Sequence, residues 1–477
     1  MSEVNQEIKN YLTSLYGETS EKQYSEFIKK DASVYLRINT LKTNKSELIR
    51  SLNEQYGIIC SEIENLPNAL KLIEGEKVIG KTIQHIAGKF YIQGLSSMIP
   101  PLVLNPTFEE KVLDLCAAPG SKTTALGELM KNKGTLVANE ISQNRVGMLV
   151  FNIDRINLCN TAVTHNRGEW LNRYFSEYFD KILVDAPCSG LGILHKRDEV
   201  SDWWSLERVE ALGELQYRLL VSAIKMLRVG GELVYSTCTL TIEENELLID
   251  KILNKYPVEI NEIELPVKSI SGFTEYKKTK LSSSLNLSKR IIPWEVDSDG
   301  FFIVKLIKKD NTTSPEQVKT KIKSKVLSSD SKLIKEYLQN IYEDFGIDEN
   351  VLRDYKFILN GNNIFFVNKN FDLENINLFH RYGVRFGKID NHSNTILHSQ
   401  AAELLRNAIT KNIYELKNTN ELKTYINGGT IKEYSIKGRQ CAVKYRNDIL
   451  GTAAVTKTGL KSRFPRAKRT QNIIINE

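Results

Sequence analysis

Short apolar runs recur between residues 110 and 240, and most lead into a stretch with helical spacing. Val112, Leu113 and Leu115 make the first run, and Leu136, Val137 and Ala138 the second. Residues 161–164, then Ile182-Leu183-Val184, then Leu233-Val234-Tyr235 follow. Runs this continuous are expected of parallel strands buried on both faces. Helices are predicted over 122–130, 142–156 and 207–227, the last stopped by Gly230-Gly231. Thr241-Ile242-Glu243-Glu244 has the form of a capped helix start. Residues 301–307, after the Asp299-Gly300 turn, predict a closing edge strand. Strand and helix in alternation give an α/β fold of doubly wound type.

The flanks read differently. Residues 34–39 alternate like a strand, and Asn44 and Ser46 carry cap chemistry ahead of Leu48, Ile49 and Leu52. That makes residues 1–95 a small α/β unit, with Arg37 and Lys42 read as solvated charges flanking the strand end. The core unit then spans 96–308, and the lysine- and serine-rich stretch 309–331 is a linker. Residues 332–390 form an intermediate α+β unit, with a helix over 332–345 and a strand pair about Asn360-Gly361. Residues 391–477 close the chain with short strands split by Gly428-Gly429, Gly438 and Gly451, a small β-rich module.

At 477 residues the chain is too long for one core, which agrees with this division. No apolar run approaches the ~20 residues of a membrane span, and the polar first residues do not read as a signal peptide. The six cysteines show no CxxC pair and no zinc spacing, so a cytoplasmic, reduced, metal-free protein is expected. Charge alters the picture at one end only. Residues 431–477 hold eleven basic and three acidic residues, whereas the other 430 hold 54 and 55. A basic end interleaved with Gly459, Phe464 and Pro465 suits a nucleic-acid contact loop.

The candidate chemistry lies just past the strands, where ligands bind in such sheets. Asp185-Ala186-Pro187-Cys188-Ser189-Gly190 follows one strand and Ser236-Thr237-Cys238-Thr239 another, so two thiols and a carboxylate should converge on one crevice. Taken alone, that geometry leaves a redox or metal site open. After the first strand, Cys116-Ala117-Ala118-Pro119-Gly120-Ser121 is a loop of mostly small residues leading into a helix at Lys122. Its helix N-terminus suits an anionic group. Neither the GK[ST] ending of a phosphate loop nor GxGxxG is present. Glu140, twenty residues after Gly120, has the spacing of an acid that accepts from a ribose diol. Cys60, Cys159 and Cys441 read as buried small hydrophobes, and Cys116 as a packing or backbone contact in its loop. His165, His195, His380 and His398 read as isolated packing or surface residues, and Trp203-Trp204 as packing against the following helix, with base stacking the alternative.

The loop from Asp114 to Thr123, with the two cysteine motifs in this order, resembles the Sun family of RNA cytosine-5 methyltransferases. Residues 35–42 are similar to that family's N-terminal RNA-contact element, and the likeness covers residues 30–310. His398-Ser399-Gln400-Ala401-Ala402, Leu450-Gly451 and Arg463-Phe464-Pro465-Arg466 resemble the C-terminal region of its RsmF-type branch, including a PUA-like module. The resemblance implies a Rossmann-like methyltransferase core and S-adenosylmethionine as donor, cradled by Cys116, Ala117, Ala118, Pro119, Gly120, Ser121 and Lys122. Glu140 would hold the ribose, with Asp185 near donor and base. Cys238 would attack C6 of the cytosine and Cys188 assist release, with Lys122 as electrostatic partner. The implied partner is small-subunit ribosomal RNA or the ribosomal subunit, met by a monomer; transfer RNA, or a non-catalytic role in ribosome assembly, are the alternatives. Two positions depart from the family: Arg167 stands where an aspartate often contacts adenine, and Pro293-Trp294 replaces a proline–histidine pair. An arginine side chain has no acceptor for an adenine amino group. Asn166 or a backbone carbonyl is left to substitute.

Overall fold

The computed structural model describes residues 4–196, 199–313, 315–318, 325–372, 376–469 and 472–476. Part of the stretch read as linker therefore lies outside the described residues, and within it Lys325–Ser328 is a strand. No helix among the described residues is long and apolar enough to cross a membrane.

The sheet that carries the site contains strands β1 (Lys111–Asp114), β2 (Thr135–Asn139), β3 (Thr161–Thr164), β4 (Phe179–Asp185), β5 (Leu227–Thr237) and β6 (Phe301–Lys308). β3, β2, β1, β4 and β5 run parallel in that spatial order. Their centres are shut off from solvent: Leu113, Val137, Ala162, Ile182 and Leu233 are all buried. This is why the runs are continuous rather than alternating. Helices α1 (Ser121–Leu129), α2 (Gln143–Ile156), α3 (Glu199–Trp203) and α4 (Leu206–Met226) make connections between or beyond the strands.

β6 pairs antiparallel with β5. It is not the edge strand that the sequence predicts, because Lys289–Ile291 and Val258–Asn261 both pair with its far side. Its own pattern records this: Phe301, Phe302, Ile303 and Val304 are consecutively buried. At the opposite edge Phe379–Tyr382 returns from the C-terminal half and pairs antiparallel with β3.

The N-terminal unit is a four-stranded antiparallel sheet in which Tyr35–Ile38 is an inner strand. All four of its residues are buried. Arg37 and Lys42 accordingly are not the solvated charges expected. Arg37 gives two hydrogen bonds to Glu128 of α1, at 3.1 and 2.9 Å, and one each to Thr124 Oγ1 at 2.8 Å, Gln93 and the Ser121 carbonyl. Lys42 donates to the carbonyls of Ala87 and Arg155 at 2.7 and 3.1 Å and lies 3.6 Å from Glu403. Burial pushes the Lys42 amine down to about 7. These residues sit where the N-terminal sheet closes on the core, so their partners come from distant sequence.

Two five-stranded sheets follow. The first includes the hairpin of Tyr355–Asn360 and Asn363–Asn368; the second is built around Gln440–Tyr445 and Asp448–Thr456. The basic terminal segment is divided between them and solvent. Phe464 and Lys468 are buried, Lys468 bonding Glu403 at 2.8 Å, while Lys457, Lys461 and Arg466 stay exposed.

Candidate active site

The strand order reverses between β1 and β4, and at that point the carboxyl ends of the strands open into a cleft of about 750 Å³. Its wall includes Cys116, Ala117, Ala118, Pro119, Ser121, Lys122, Glu140, Asp185, Cys188 and Cys238. The structure thus gathers the residues selected from sequence into one place. Gly120 lies just behind them with φ of 106°, and a side chain there would press on Leu149 at 3.1 Å. The positive φ is what favours glycine at this turn.

The loop after β1 has the features of an anion cradle. No side chain caps the first turn of α1, so its N–H groups remain open to a ligand. Glu140, almost fully buried at the end of β2, accepts from Ala118 N at 3.3 Å and Ser142 N at 2.8 Å. Arg145 bridges the two sides, 3.4 Å from Glu140 and bonding the Ala118 carbonyl at 2.5 Å. Beneath the loop, Asp114 accepts from Thr123 Oγ1 at 2.7 Å on one oxygen, while its other oxygen is buried without a partner. Burial pushes its carboxyl up to about 7. Burial likewise drives the Cys116 thiol well above its ordinary range, with Asp114, Asp185 and Glu140 adding to the rise. A thiol so held is a packing group rather than a nucleophile.

Across the cleft, Cys188 Sγ and Cys238 Sγ are 3.2 Å apart. The hydrogen bond with Cys238, then burial, raises Cys188 well above the usual thiol range. Asp185 accepts from Lys122 Nζ at 2.7 Å on one oxygen and from Ser236 Oγ at 2.8 Å on the other. Lys122 also reaches Ser97 Oγ at 2.9 Å and lies 5.1 Å from the Phe301 ring centroid. A carboxylate, an ammonium and two sulfurs are thus fixed on one apolar-backed wall.

Several residues holding this geometry were not legible as site residues. Glu244, buried behind the thiols, accepts from Ser189 N at 2.9 Å, Gln216 Nε2 at 2.8 Å, Thr241 Oγ1 at 2.8 Å and Ser189 Oγ. It ties the loop of Cys188 to the loop of Cys238. Gly192 N donates to the Cys238 carbonyl at 3.0 Å, and a side chain on Gly192 would strike the Gly300 carbonyl. Outside these, Tyr11 OH donates to Glu243 and accepts from Ile242 N at 2.9 Å, and buried Arg290 pairs with Glu246 and bonds Leu240 O at 2.9 Å. Only the Glu243-Glu244 helix-start pattern signalled any of this in advance.

After β3, Arg167 lies over the Trp170 ring at 4.3 Å and pairs with Glu169 at 2.8 Å. Asn166 turns its amide to Thr164 Oγ1 at 2.6 Å, whereas Gly168 and Glu169 line the cleft. Trp294, at the altered proline–histidine position, packs edge-on to Tyr16 and Tyr24 at 5.9 and 6.0 Å. His195 packs against Phe27 at 4.6 Å, and His398 accepts from Gln400 N at 3.3 Å as a helix cap.

With this geometry in hand, likeness to known proteins is specific. The family model described as 16S rRNA methyltransferase RsmB/F matches residues 101–307. Ribosomal RNA small subunit methyltransferase F of Vibrio cholerae is 31% identical over 437 residues, covering 90% of each chain. The tRNA (cytosine(49)-C(5))-methyltransferase of Pyrococcus abyssi is 36% identical over 277 residues, 57% of this chain and 87% of its own. Among solved structures, a methyltransferase homolog protein from Pyrococcus horikoshii is 32% identical with a TM-score of 0.57, over 63% of this chain and 93% of that one.

Proposed function

The chain belongs to the RsmB/F family of RNA cytosine-C5 methyltransferases, and we propose that it methylates small-subunit ribosomal RNA through a covalent adduct at Cys238. The observation that carries the covalent route is the Cys188–Cys238 sulfur pair, 3.2 Å apart beside Asp185 in the cleft that also holds the donor loop. The ribosomal substrate is supported by the likeness to the Vibrio protein, which covers 90% of the chain. The likeness to the tRNA enzyme covers 57% of the chain.

S-adenosylmethionine is the methyl donor, and the residues fit it: open N–H groups at α1 for its carboxylate and buried Glu140 for its ribose. When bound it supplies an electrophilic methyl group on a sulfonium. Carbon 5 of cytosine is a poor nucleophile until a thiolate adds to C6. Cys238 forms that C6–S bond, and the ring electrons gathered at C5 take the methyl group. Lys122, held against Asp185, opposes the negative charge that builds on the ring, while Asp185 faces the N3 and amino edge. Release requires transfer of the C5 proton to a base, water or the Cys188 sulfur; the C5–H electron pair then reforms the ring double bond and expels Cys238 as a thiolate. Cys188, beside the C6–S bond, assists that step. The raised Cys188 thiol is a poor source of attacking thiolate, which supports assigning the attack to Cys238.

Two variants test this. Cys238→Ala is expected to abolish both methyl transfer and any RNA–protein adduct. Cys188→Ala is expected to trap an adduct visible on a denaturing gel; normal turnover without adduct overturns the assignment. Mapping 5-methylcytosine in RNA from cells with and without the protein tests the substrate. Sites gained in small-subunit ribosomal RNA support the reading, and sites confined to transfer RNA replace it with the alternative.

A further inference from the structure

Trp203 and Trp204 are adjacent in sequence and pack against one apolar cluster, but differ in exposure. Trp204 is 2% exposed and meets Tyr11 edge-on at 5.5 Å, within the apolar cluster of the N-terminal helices. Trp203 is half-buried and lines the same cleft as Cys188 and Cys238, beside Gly190, Ile193 and Val200. The guanidinium of exposed Arg208 lies 4.7 Å from its ring centroid. Helix α3, which ends at Trp203, is pinned by buried Val200 and by Ser201 Oγ accepting from Asn5 N at 3.2 Å. The ring is therefore a fixed apolar surface on the wall of the reaction cleft.

We propose that Trp203 is a stacking platform for an unpaired base of the RNA substrate, next to the cytosine that reaches the thiols. This rests on the entry of that cytosine between Asp185 and the cysteine pair. A base that leaves its stack strips its neighbours of a partner, which aromatic side chains replace without regard to sequence. Arg208 adds a cation held to the indole, which also suits the nearby phosphates.

The test compares Trp203→Phe with Trp203→Leu, since leucine keeps apolar bulk and lacks a π-face. Bulk bacterial ribosomal RNA is the substrate, and donor affinity is measured separately by titration with S-adenosylmethionine. Trp203→Leu is expected to raise KM for RNA by about tenfold, with kcat, donor affinity and thermal midpoint near those of the parent. Trp203→Phe is expected to recover most of the loss. Equal behaviour of the two variants means that Trp203 only packs. A fall in donor affinity means that the ring serves the donor instead. Either outcome overturns the proposal. At saturating RNA the leucine variant still forms the Cys238 adduct, so failure of the stacking role is distinguishable from failure of the covalent route.

Discussion

Replacing Glu244 by Ala is expected to slow methyl transfer roughly a hundredfold, because a displacement near 1 Å in a reacting group commonly has that effect. Glu244→Gln is expected to stay within a few-fold of the parent. The contrast follows from its donors. Ser189 N and Gln216 Nε2 reach one carboxylate oxygen at 2.9 and 2.8 Å, while the Ser189 and Thr241 hydroxyls reach the other. A glutamine keeps an acceptor for the two N–H donors and turns its NH₂ towards hydroxyls that rotate to accept. It also removes a charge that burial already disfavours, since burial raises the Glu244 carboxyl above its usual range. Alanine strands both N–H groups, at about 1–3 kcal/mol each, and unties the cysteine loops. Single-turnover transfer of labelled methyl to ribosomal RNA, with thermal midpoints alongside, reads both effects. Should Glu244→Gln prove as slow as Glu244→Ala, the charge matters rather than the hydrogen-bond geometry. Full activity in Glu244→Ala would mean that the loops are held without it.

Further outcomes are expected elsewhere. Arg37→Met leaves buried Glu128 without its ion-pair partner, and urea unfolding should register a loss of about 3–5 kcal/mol, largely recovered in Arg37→Met with Glu128→Leu. Donor affinity, by calorimetry, should fall in both, because Arg37 also holds the Ser121 carbonyl at the start of α1. His398 is held mainly by burial down to about 4, so it is neutral in the folded chain while the unfolded chain takes up a proton near 6.5. Its contribution is complete above pH 6.5 and lost as pH falls towards 4, about 3 kcal/mol in all. His398→Asn, which keeps a capping acceptor, should flatten that part of the pH–stability curve; an unchanged curve refutes the assignment. Reversing exposed Lys457, Lys461 and Arg466 to Glu should weaken RNA binding and lower the salt slope by roughly two to three units, with donor affinity unchanged in a titration.

The parallel sheet was legible because strands buried on both faces leave continuous apolar runs, and the donor loop and cysteine motifs because they sit at strand ends. What stayed hidden depends on contacts between distant segments. Arg37 looked like a surface charge since nothing local reveals that Tyr35–Ile38 is an inner strand with Glu128 opposite. β6 looked like an edge because Lys289–Ile291 and Val258–Asn261, its outer partners, are too short to signal themselves. Phe379–Tyr382 crosses from the C-terminal half to extend the sheet, a pairing no periodicity foretells. Phe464 and Lys468 likewise lie in a stretch whose basic composition suggested only solvent and phosphate.

The meeting of the thiols is a consequence of register. β4 and β5 are parallel neighbours, with Asp185 opposite Ser236, and neighbouring strands lie about 4.8 Å apart. Cys188 and Cys238 follow that rung by three and two residues, so loops turning over the same edge bring their sulfurs together although fifty residues separate them. Adjacency alone gives proximity, however, not unequal roles. What holds each loop differs: buried Ser189, next to Cys188, is bound by Glu244, while Cys238 leaves β5 with its carbonyl held by Gly192. The contact with Cys238 and burial raise the Cys188 thiol, which suits it to handling a proton rather than to attack. Removing Cys188 should therefore impair release more than attack. Cys188→Ser separates these terms, because a hydroxyl still donates to the Cys238 thiolate but is too weak an acid to exchange its proton. It should form adduct at a rate near the parent and release it slowly in single-turnover chase experiments; slow adduct formation with normal release would reverse the assignment.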